Sequence, residues 1–283
     1  MRTFSFGGGV QSTAVLVLQA ENRLPEPYDV FLFANVGDDS EHPETIDYFH
    51  NVHKPYAEKH GIRIEEIKRV KRDGTSPTIL EALEEKLEKV ENKEKDNLWL
   101  GIPVYIGDGA PGRRTCTTDW KITVVRRWQR KNGSSRENPF ITALGISMDE
   151  IQRARTSSRH DDQIMEYPLL DMRLNRADCY KIIKDAGLPE VPRSACWFCP
   201  FHSIQAWRDL KKEHPPLFQK TVELENRINT IRRKNAAEIE GGSGAYFTRI
   251  GAKNEMPLNE CIDDQLQLDL DGPDSCNSGS CFT

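Results

Sequence analysis

The sequence feature that most constrains the fold is a run of three glycines between an apolar segment and a segment of helical character. Thr3–Phe6 is followed by Gly7-Gly8-Gly9, and an apolar run begins soon after Ser12 and Thr13. Glycine lets the backbone turn tightly and approach a ligand closely. The N–H groups at a helix start, with the positive end of the helix dipole, attract anions such as phosphate. We therefore expect a strand, a phosphate-binding loop and a helix; the alternative is a tight turn in which Ser12 or Thr13 only caps the helix.

Apolar strands and amphipathic helices alternate along the first part of the chain. In order, these elements are predicted at 3–6, 12–22, 29–36, 44–60 and 62–70. This alternation is typical of a doubly wound α/β fold with a parallel sheet, in which ligands bind at the carboxyl ends of the strands. Pro55 predicts a kink or a break in the second helix. Gly7–Ser12 and Asn35–Ser40 both fall at the ligand-binding edge.

The later part of the chain continues the pattern and then changes in composition. Further helices are predicted at 78–94, 121–131 and 175–186, and a further buried strand at 139–145. From Pro189 the chain is rich in cysteine, aromatic residues and proline. We expect three parts: a nucleotide-binding α/β domain over 1–188, a smaller helical module with cysteines over 189–250, and an acidic, mobile or loosely docked tail over 251–283.

Charge and hydropathy narrow the class of protein. The chain has 283 residues and a formal net charge of -5, which does not predict wholesale coating of nucleic acid. Local basic clusters at 68–72, 126–131 and 232–234 suit either a phosphate backbone or a solvated surface. No signal-peptide-like segment and no apolar run of membrane-spanning length is present. We expect a cytoplasmic protein with no membrane partner.

In a cytoplasmic protein the seven cysteines are expected to be metal ligands, redox groups or thiols rather than structural disulfides. Cys196 and Cys199 form a C-x-x-C, a spacing that lets two thiolates bind one metal centre. With Cys116 they make a three-thiolate set for a [4Fe–4S] cluster, which usually takes four cysteines, and Cys179 is a spare candidate. The alternatives are zinc bound by three cysteines and His202, a thiol redox pair, and inert thiols.

The cysteines near the end of the chain have no neighbours in sequence that would lower the pKa of a thiol. They are Cys261, Cys276 and Cys281. We expect exposed thiols without a catalytic role; the alternative is an arm that carries sulfur.

The glycine loop resembles the PP-loop of the ATP pyrophosphatases, the adenine-nucleotide α-hydrolase-like superfamily. The family pattern Ser-Gly-Gly-x-Asp-Ser aligns with residues 7–12. Gly7 stands in place of the first serine and Gln11 in place of the acid, and Ser5 is a candidate to supply a hydroxyl instead.

More specifically, residues 3–200 resemble the phosphoadenylyl-sulfate (PAPS) reductase-like branch of that superfamily. The segments that carry the resemblance are Phe33–Gly37, Pro43-Glu44-Thr45, Arg113–Cys116 with Lys121, and Gly145–Glu150 with Arg153 and Arg159. The reductases of the branch carry a C-terminal Glu-Cys-Gly motif, whereas Glu260-Cys261 is followed here by Ile262. Other relatives with an iron–sulfur cluster add sulfur to tRNA or to DNA and use ATP to activate an oxygen.

The resemblance implies an adenine nucleotide, ATP or a sulfonucleotide (PAPS or adenylyl sulfate), together with Mg²⁺ and the cluster. The implied activity is adenylation coupled to sulfur transfer onto a nucleic acid or nucleotide, with a sulfur-donor protein as a possible partner. The alternatives are a reductase that releases sulfite and a non-catalytic nucleotide-binding, iron–sulfur subunit of a larger complex.

The residues assigned to this site by the resemblance and by the pattern fall into four groups. Phosphate-binding candidates are Ser5, Gly7, Gly8, Gly9, Gln11, Ser12, Thr13 and Gly145. Asn35 and Val36 would border the adenosine. Asp38 or Asp39 would bind Mg²⁺, and the alternative for these two aspartates is a turn or helix-capping role. Cations that would neutralise phosphate charge are Arg114, Lys121, Arg153 and Arg159; the alternative for each is a surface cation. Ser12, Asp38, Lys121 and Arg153 are the candidates for direct participation in the chemistry.

Overall fold

The computed structural model describes residues 1–92, 100–155, 158, 160–236 and 244–263. The chain forms two compact units. The first combines residues 1–76 and 117–195, and the second combines 77–116 with the described residues from 196 onward. Within these ranges, no helix is long and apolar enough to cross a membrane.

The strands are short and fall into two sheets. In chain order they are β1 (Arg2–Phe6), β2 (Val30–Asn35), β3 (Ile64–Lys68), β4 (Tyr105–Ile106), β5 (Ala110–Pro111), β6 (Phe140–Leu144), β7 (Gln163–Glu166) and β8 (Ala245–Tyr246).

The α-helices belong to both units. In chain order they are α1 (Val10–Ala20), α2 (Pro43–Tyr48), α3 (Lys54–Lys59), α4 (Ile79–Glu91), α5 (Thr123–Lys131), α6 (Pro168–Asp171), α7 (Arg176–Asp185), α8 (Ile204–Glu213), α9 (Pro215–Ala236), α10 (Arg249–Asn254) and α11 (Leu258–Asp263). Two π-helical turns, Phe49–His53 and Thr118–Ile122, precede α3 and α5, and a 3-10 helix covers Met148–Arg153.

The first unit is built on a five-stranded sheet in the order β3-β2-β1-β6-β7. Every neighbouring pair of strands is parallel, so the predicted parallel sheet is confirmed. The order runs outward from β1 to β3 on one side and from β6 to β7 on the other. The strand order therefore reverses between β1 and β6, which creates a crevice at their carboxyl ends where open α/β sheets bind ligands.

The alternation of side chains along β1 and β2 produces two different sheet faces. Phe4, Phe6, Phe31 and Phe33 pack with α1 and α7 in the larger apolar core. On the other face, Val30, Leu32 and Ala34 pack against Val124 and Val125 of α5. Helices therefore cover both faces, as a doubly wound fold requires.

The face under α5 also carries a buried polar network. Gln129 donates from Nε2 to Thr3 Oγ1 (2.7 Å) and Thr142 Oγ1 (2.8 Å), and Gln163 donates to Gln129 Oε1 (2.6 Å). These bonds join α5 to β1, β6 and β7, so the register between the helix and the sheet is specified by polar groups as well as by packing. Strand β7 was not predicted, because Gln163 and Glu166 break the apolar pattern of a short edge strand.

The helix predicted over 44–60 forms in three segments, α2, a π-helical turn and α3. The π-helical turn ends directly before Lys54-Pro55, which agrees with the effect expected of a proline inside a helix. The helix predicted over 175–186 begins at Asn175, whose side chain accepts from Asp178 N in a capping box.

The second unit contains the antiparallel sheet β5-β4-β8 and the helices α4 and α8–α11. Glu225 of α9 is fully buried and joins this helix to two other segments of the unit. Its Oε1 accepts from Phe247 N, directly after β8, and its Oε2 accepts from Leu258 N at the start of α11, both at 2.6 Å. Burial raises the pKa of Glu225 to about 7, against the opposing effect of the two N–H donors. The first part of the predicted tail is ordered in α11, where Leu258 and Ile262 are buried; residues from 264 onward lie outside the described chain.

We predict that Glu225→Gln lowers the free energy of unfolding by about 2–4 kcal/mol. The amide has only one acceptor oxygen, so one of the two buried N–H groups loses its partner and faces an NH₂ group. Urea denaturation measures the effect. Glu223→Gln is the matched control, because Glu223 is exposed and bonds only to Gln219 Nε2 among the described contacts; equal stability of the two variants would contradict the role of Glu225.

We predict that stability falls as the pH drops below about 6.5, because of His53. His53 is fully buried, and burial lowers its pKa to about 3. Between these pH values the unfolded chain binds a proton that the folded chain does not, so each pH unit removes up to about 1.4 kcal/mol. His53→Phe removes this contribution, so its urea midpoint should vary less between pH 7 and pH 5 than that of the parent; parallel profiles would refute the prediction.

Candidate functional site

The glycine loop after β1 leads into α1 without a side-chain cap. Gly8 has a φ of 71°, in the left-handed region that favours glycine. Gly9 is the N-cap of α1, with no side-chain cap and no acidic residue in the first turn. The hydroxyls of Ser12 and Thr13 instead donate back to Gly9 O, at 2.8 and 2.9 Å. Gly9 occupies the N-cap position, so the alternative in which Ser12 or Thr13 caps the helix is wrong.

A strap over residues 189–195 lies on the glycine loop and on α2. Four hydrogen bonds attach it: Ser194 Oγ to Gly7 O (2.6 Å), Thr45 Oγ1 to Arg193 O (3.0 Å), His42 N to Ala195 O (2.9 Å) and Tyr48 Oη to Pro189 O (2.7 Å). Ser194 is thus a residue of the loop wall that sequence reasoning missed. A distance of 187 residues along the chain separates it from Gly7, so no local pattern indicates the contact.

The loop after β6 approaches the same helix start from the other side of the crevice. A Cβ added to Gly145 would lie 3.2 Å from Ser12 N and 3.3 Å from Gln11 C. Only glycine therefore allows this approach without a shift of the backbone. The predicted site residues Gly145, Gln11 and Ser12 are brought together.

A buried carboxylate connects Gln11 to Arg153. Gln11 Nε2 donates to Glu150 Oε1 (3.4 Å), and Arg153 Nη1 donates to Glu150 Oε2 in an ion pair. Glu150 is 3% exposed. Burial raises the pKa of its carboxyl, while Arg153 opposes that shift. Glu150, which the sequence analysis placed only within a longer matching segment, therefore orients the guanidinium of Arg153 relative to the first turn of α1.

Arg153 also lines a cavity of about 330 Å³ on the α5 face of the sheet. Its walls come from β1, β6, β7, the π-helical turn before α5, α5 itself and the segment after Arg153. The lining residues are Ser5, Thr118, Ile122, Val125, Thr142, Leu144, Arg153, Arg155, Ser158, His160, Gln163, Met165 and Tyr167. Ser5 and Arg153 are the two members that the sequence analysis singled out.

The lining of this cavity combines positive charge with apolar surface. Arg153 and Arg155 supply positive charge, and Leu144 and Met165 supply apolar surface. Tyr167 Oη accepts from Arg155 N (2.9 Å) and donates to Arg155 O (3.1 Å), which fixes the backbone of that wall. A pocket of this size, mostly apolar with a few polar groups, is typical of a small-ligand site.

The turn after β2 holds the residues predicted to border the adenosine. Asn35 Nδ2 donates to Asp38 Oδ1 (2.6 Å) and Glu66 Oε1 (2.8 Å), while Asn35 Oδ1 accepts from Gly37 N (2.8 Å). The amide of Asn35 is thus occupied within the turn, and Val36 beside it is buried. Contact between this turn and adenosine stays a prediction.

Two further predicted residues lie at this edge. Asp38 is the more exposed of the two: its side chain is 60% exposed, and its Oδ1 lies 3.9 Å from Lys68 Nζ. Lys121 is buried and its Nζ lies 3.4 Å from Glu41 Oε1. Glu41, which was not predicted, is 1% exposed, and it fixes the position of the Lys121 side chain through this ion pair.

The three predicted metal ligands all belong to the second unit. Cys199 N donates to Cys196 O (3.1 Å), so the C-x-x-C forms a tight turn, and Cys116 N donates to Gly101 O (3.0 Å). The two segments are neighbours, because Arg114 stacks over the ring of Phe201 with 5.5 Å to the centroid. All three cysteines are partly exposed.

The remaining predicted residues do not all lie where the sequence analysis expected them. Cys261 is not exposed as expected: it is 4% exposed, and burial raises the pKa of its thiol to about 11. Its side chain is enclosed because α11 docks in the second unit. Cys179 is fully buried, and burial raises its pKa to about 12. Arg114 belongs to the second unit, and Arg159, Cys276 and Cys281 lie outside the described residues.

Comparison with known proteins does not identify a family for this chain. No protein-family model matches the chain, and no curated protein matches it significantly. A functional assignment therefore depends on the geometry and chemistry of the residues themselves.

We predict that Gly145→Ala destabilises the protein by about 1–3 kcal/mol, because the methyl group overlaps the first turn of α1. Thermal or urea unfolding measures the loss. Gly9→Ala is the matched control, since a Cβ there meets nothing closer than 3.8 Å and φ is -94°; its cost should stay below about 1 kcal/mol. A Gly145→Ala variant as stable as the parent would contradict the close approach.

Proposed function

We propose that the first unit binds an adenine nucleotide at the glycine loop and transfers AMP to an oxygen that sulfur then replaces. The chain would be a PP-loop enzyme of the PAPS reductase-like branch, acting on a nucleic acid or a nucleotide. The observation that carries the proposal is the first turn of α1, which has no side-chain cap and follows Gly7-Gly8-Gly9 at the reversal point of a parallel sheet.

The first step is an adenylation. An oxygen of the acceptor attacks the α-phosphorus of ATP, the bond from this phosphorus to the bridging oxygen breaks, and pyrophosphate leaves. The N–H groups of the first turn of α1 hold the phosphates, and Lys121 and Arg153 offset the developing charge. Such a step depends on positioning and on charge neutralisation rather than on covalent catalysis.

The second step is a substitution without a net change of oxidation state. Sulfur at the sulfide level, delivered by a donor protein, attacks the adenylated carbon of the acceptor. The carbon–oxygen bond breaks, AMP leaves with both electrons of that bond, and the proton of the hydrosulfide goes to solvent. The cavity beside Ser5 and Arg153 is the place for the flat acceptor group, because it joins apolar walls to positive charge.

Mg²⁺ fits the edge of the sheet near Asp38. Mg²⁺ sites in nucleotide enzymes commonly use one or two carboxylates together with substrate phosphates. The exposed carboxylate of Asp38 follows β2 directly, and Asp39 is next to it in sequence. These residues would hold the ion, which supplies charge for the leaving pyrophosphate.

An iron–sulfur cluster fits the donor set of the second unit. Cys116, Cys196 and Cys199 are soft thiolate ligands on neighbouring segments, and three such ligands leave one iron of a [4Fe–4S] cluster for a fourth group. When bound, the cluster would carry or hand over sulfur. Cys116, Cys196 and Cys199 would hold the cluster, and Phe201, which lies beside the Cys116 segment, would shield it.

Sulfite release by a reductase is the second candidate function, since the resemblance includes sulfonucleotide reductases. Such a reaction needs a reactive cysteine thiolate. Burial and the raised pKa of Cys261 argue against that residue as the nucleophile.

The proposal predicts that the purified protein releases pyrophosphate from ATP when tRNA or DNA is added. Lys121→Met should lower the rate by about 10²-fold or more, since a buried cation that offsets transition-state charge is lost. Lys181→Met on α7 is the control, with an unchanged rate. Release of sulfite from PAPS or adenylyl sulfate would favour the reductase instead, and no turnover of any substrate would leave a non-catalytic nucleotide-binding subunit.

The cluster is tested by anaerobic purification with iron, sulfide and zinc analysis. We predict a brown protein with about four irons and four sulfides per chain, and a large loss of iron in Cys199→Ser. Cys179→Ser should keep the iron, because that thiol is buried in the first unit. An iron-free protein that contains zinc, or a Cys199→Ser variant with full iron, would refute this assignment.

A further inference from the structure

His53 is a polar side chain in the apolar core behind the glycine loop. It ends the π-helical turn Phe49–His53, and its ring is fully buried. The ring centroid lies 4.8 Å from that of Phe6 and 4.7 Å from that of Tyr48. Its Nε2 lies 2.8 Å from Thr13 Oγ1 in the first turn of α1.

The direction of this hydrogen bond follows from the bond that Thr13 makes next. Thr13 Oγ1 donates to Gly9 O at 2.9 Å. A hydroxyl carries one proton, so Thr13 Oγ1 accepts from His53 Nε2–H. His53 Nδ1 is buried and has no hydrogen-bond partner in the described part of the chain. We therefore assign it a lone pair and no proton. The ring is therefore neutral, in agreement with its lowered pKa.

The hydrogen bonds end on the peptide that joins the glycine loop to α1. Gly9 O also accepts from Thr13 N (2.9 Å) and from Ser12 Oγ (2.8 Å). The carbonyl of Gly9 and the N–H of Val10 belong to one rigid peptide plane. Whatever fixes the direction of this carbonyl also fixes the direction of the first helical N–H.

Packing alone does not account for a histidine at this position. A phenylalanine has a similar shape and would join the surrounding rings, whereas the histidine leaves one buried nitrogen without a partner, which costs free energy. The π-helical turn is itself a less common backbone form that is often associated with functional sites. A role in positioning the glycine loop would explain why the core contains a residue that lowers the stability of the fold.

We propose that His53 is a positioning residue of the glycine loop: through Thr13 it sets the orientation of the Gly9–Val10 peptide that faces the ligand. The ligand in this statement is the adenine nucleotide of the proposed function, on which the inference rests. His53 does not touch the nucleotide. It holds the loop while adding no charge to the core.

Four variants test the proposal in the full-length protein: His53→Phe, His53→Gln, Thr13→Val and the double variant His53→Phe/Thr13→Val. Calorimetric titration with ATP gives the affinity, and urea denaturation gives the stability. We expect His53→Phe to weaken ATP binding about 10-fold while stability at pH 7 stays equal or rises. His53→Gln, whose Nε2 can donate to Thr13, should recover most of the affinity. The double variant should bind no worse than the weaker single variant, since both remove one interaction.

Amide hydrogen exchange at Thr13, whose N–H donates to Gly9 O, separates this inference from the proposed function when it is measured without ligand. His53→Phe should raise exchange at this amide several-fold, whereas Ile183→Val, a core control on α7, should change stability only. If the parent does not bind ATP, the proposed function fails and the exchange data still decide the role of His53. Equal exchange in the parent and in His53→Phe, or equal affinity where ATP binds, would overturn the proposal.

Discussion

The uncapped first turn of α1 is the constraint on which the rest of the candidate site depends. A helix whose N-cap is Gly9 leaves its first N–H groups without a side-chain acceptor, and such groups are costly unless water or a ligand satisfies them. The fold surrounds this turn with groups that do not compete for it. Gly145 approaches it with no side chain, and Ser12 and Thr13 turn their hydroxyls back to the loop.

The charged residues near the crevice are organised as buried pairs. Lys121 is paired with Glu41, and Arg153 with Glu150. A buried pair fixes the direction of its cation, although it contributes little net stability. In the proposed function, which requires phosphate charge to be offset, this fixed direction has chemical value because no reorganisation is needed when the charge develops.

The sequence predicted the parts of the fold that depend on local patterns. The first three strands, the π-helical turn before Lys54-Pro55 and the capping residue Asn175 follow from hydropathy, backbone restriction and capping preferences. Strand β7 was missed because an edge strand with two polar ends has little pattern of its own. Glu41, Ser194 and His53 act through contacts between distant segments, so local reasoning did not identify them. Cys261 was expected from the sequence to be exposed, and this was wrong. The residue is buried because the short helix α11 docks in the second unit through tertiary contacts that no local pattern indicates.

The most direct test of the account is the response of individual backbone amides to ATP, measured by NMR on isotope-labelled protein. The account predicts that the largest shifts occur at Gly8, Gly9, Val10 and Gln11, with smaller shifts at Gly145 across the crevice. Shifts confined to other parts of the first unit, or none at millimolar ATP and Mg²⁺, would contradict nucleotide binding at the glycine loop.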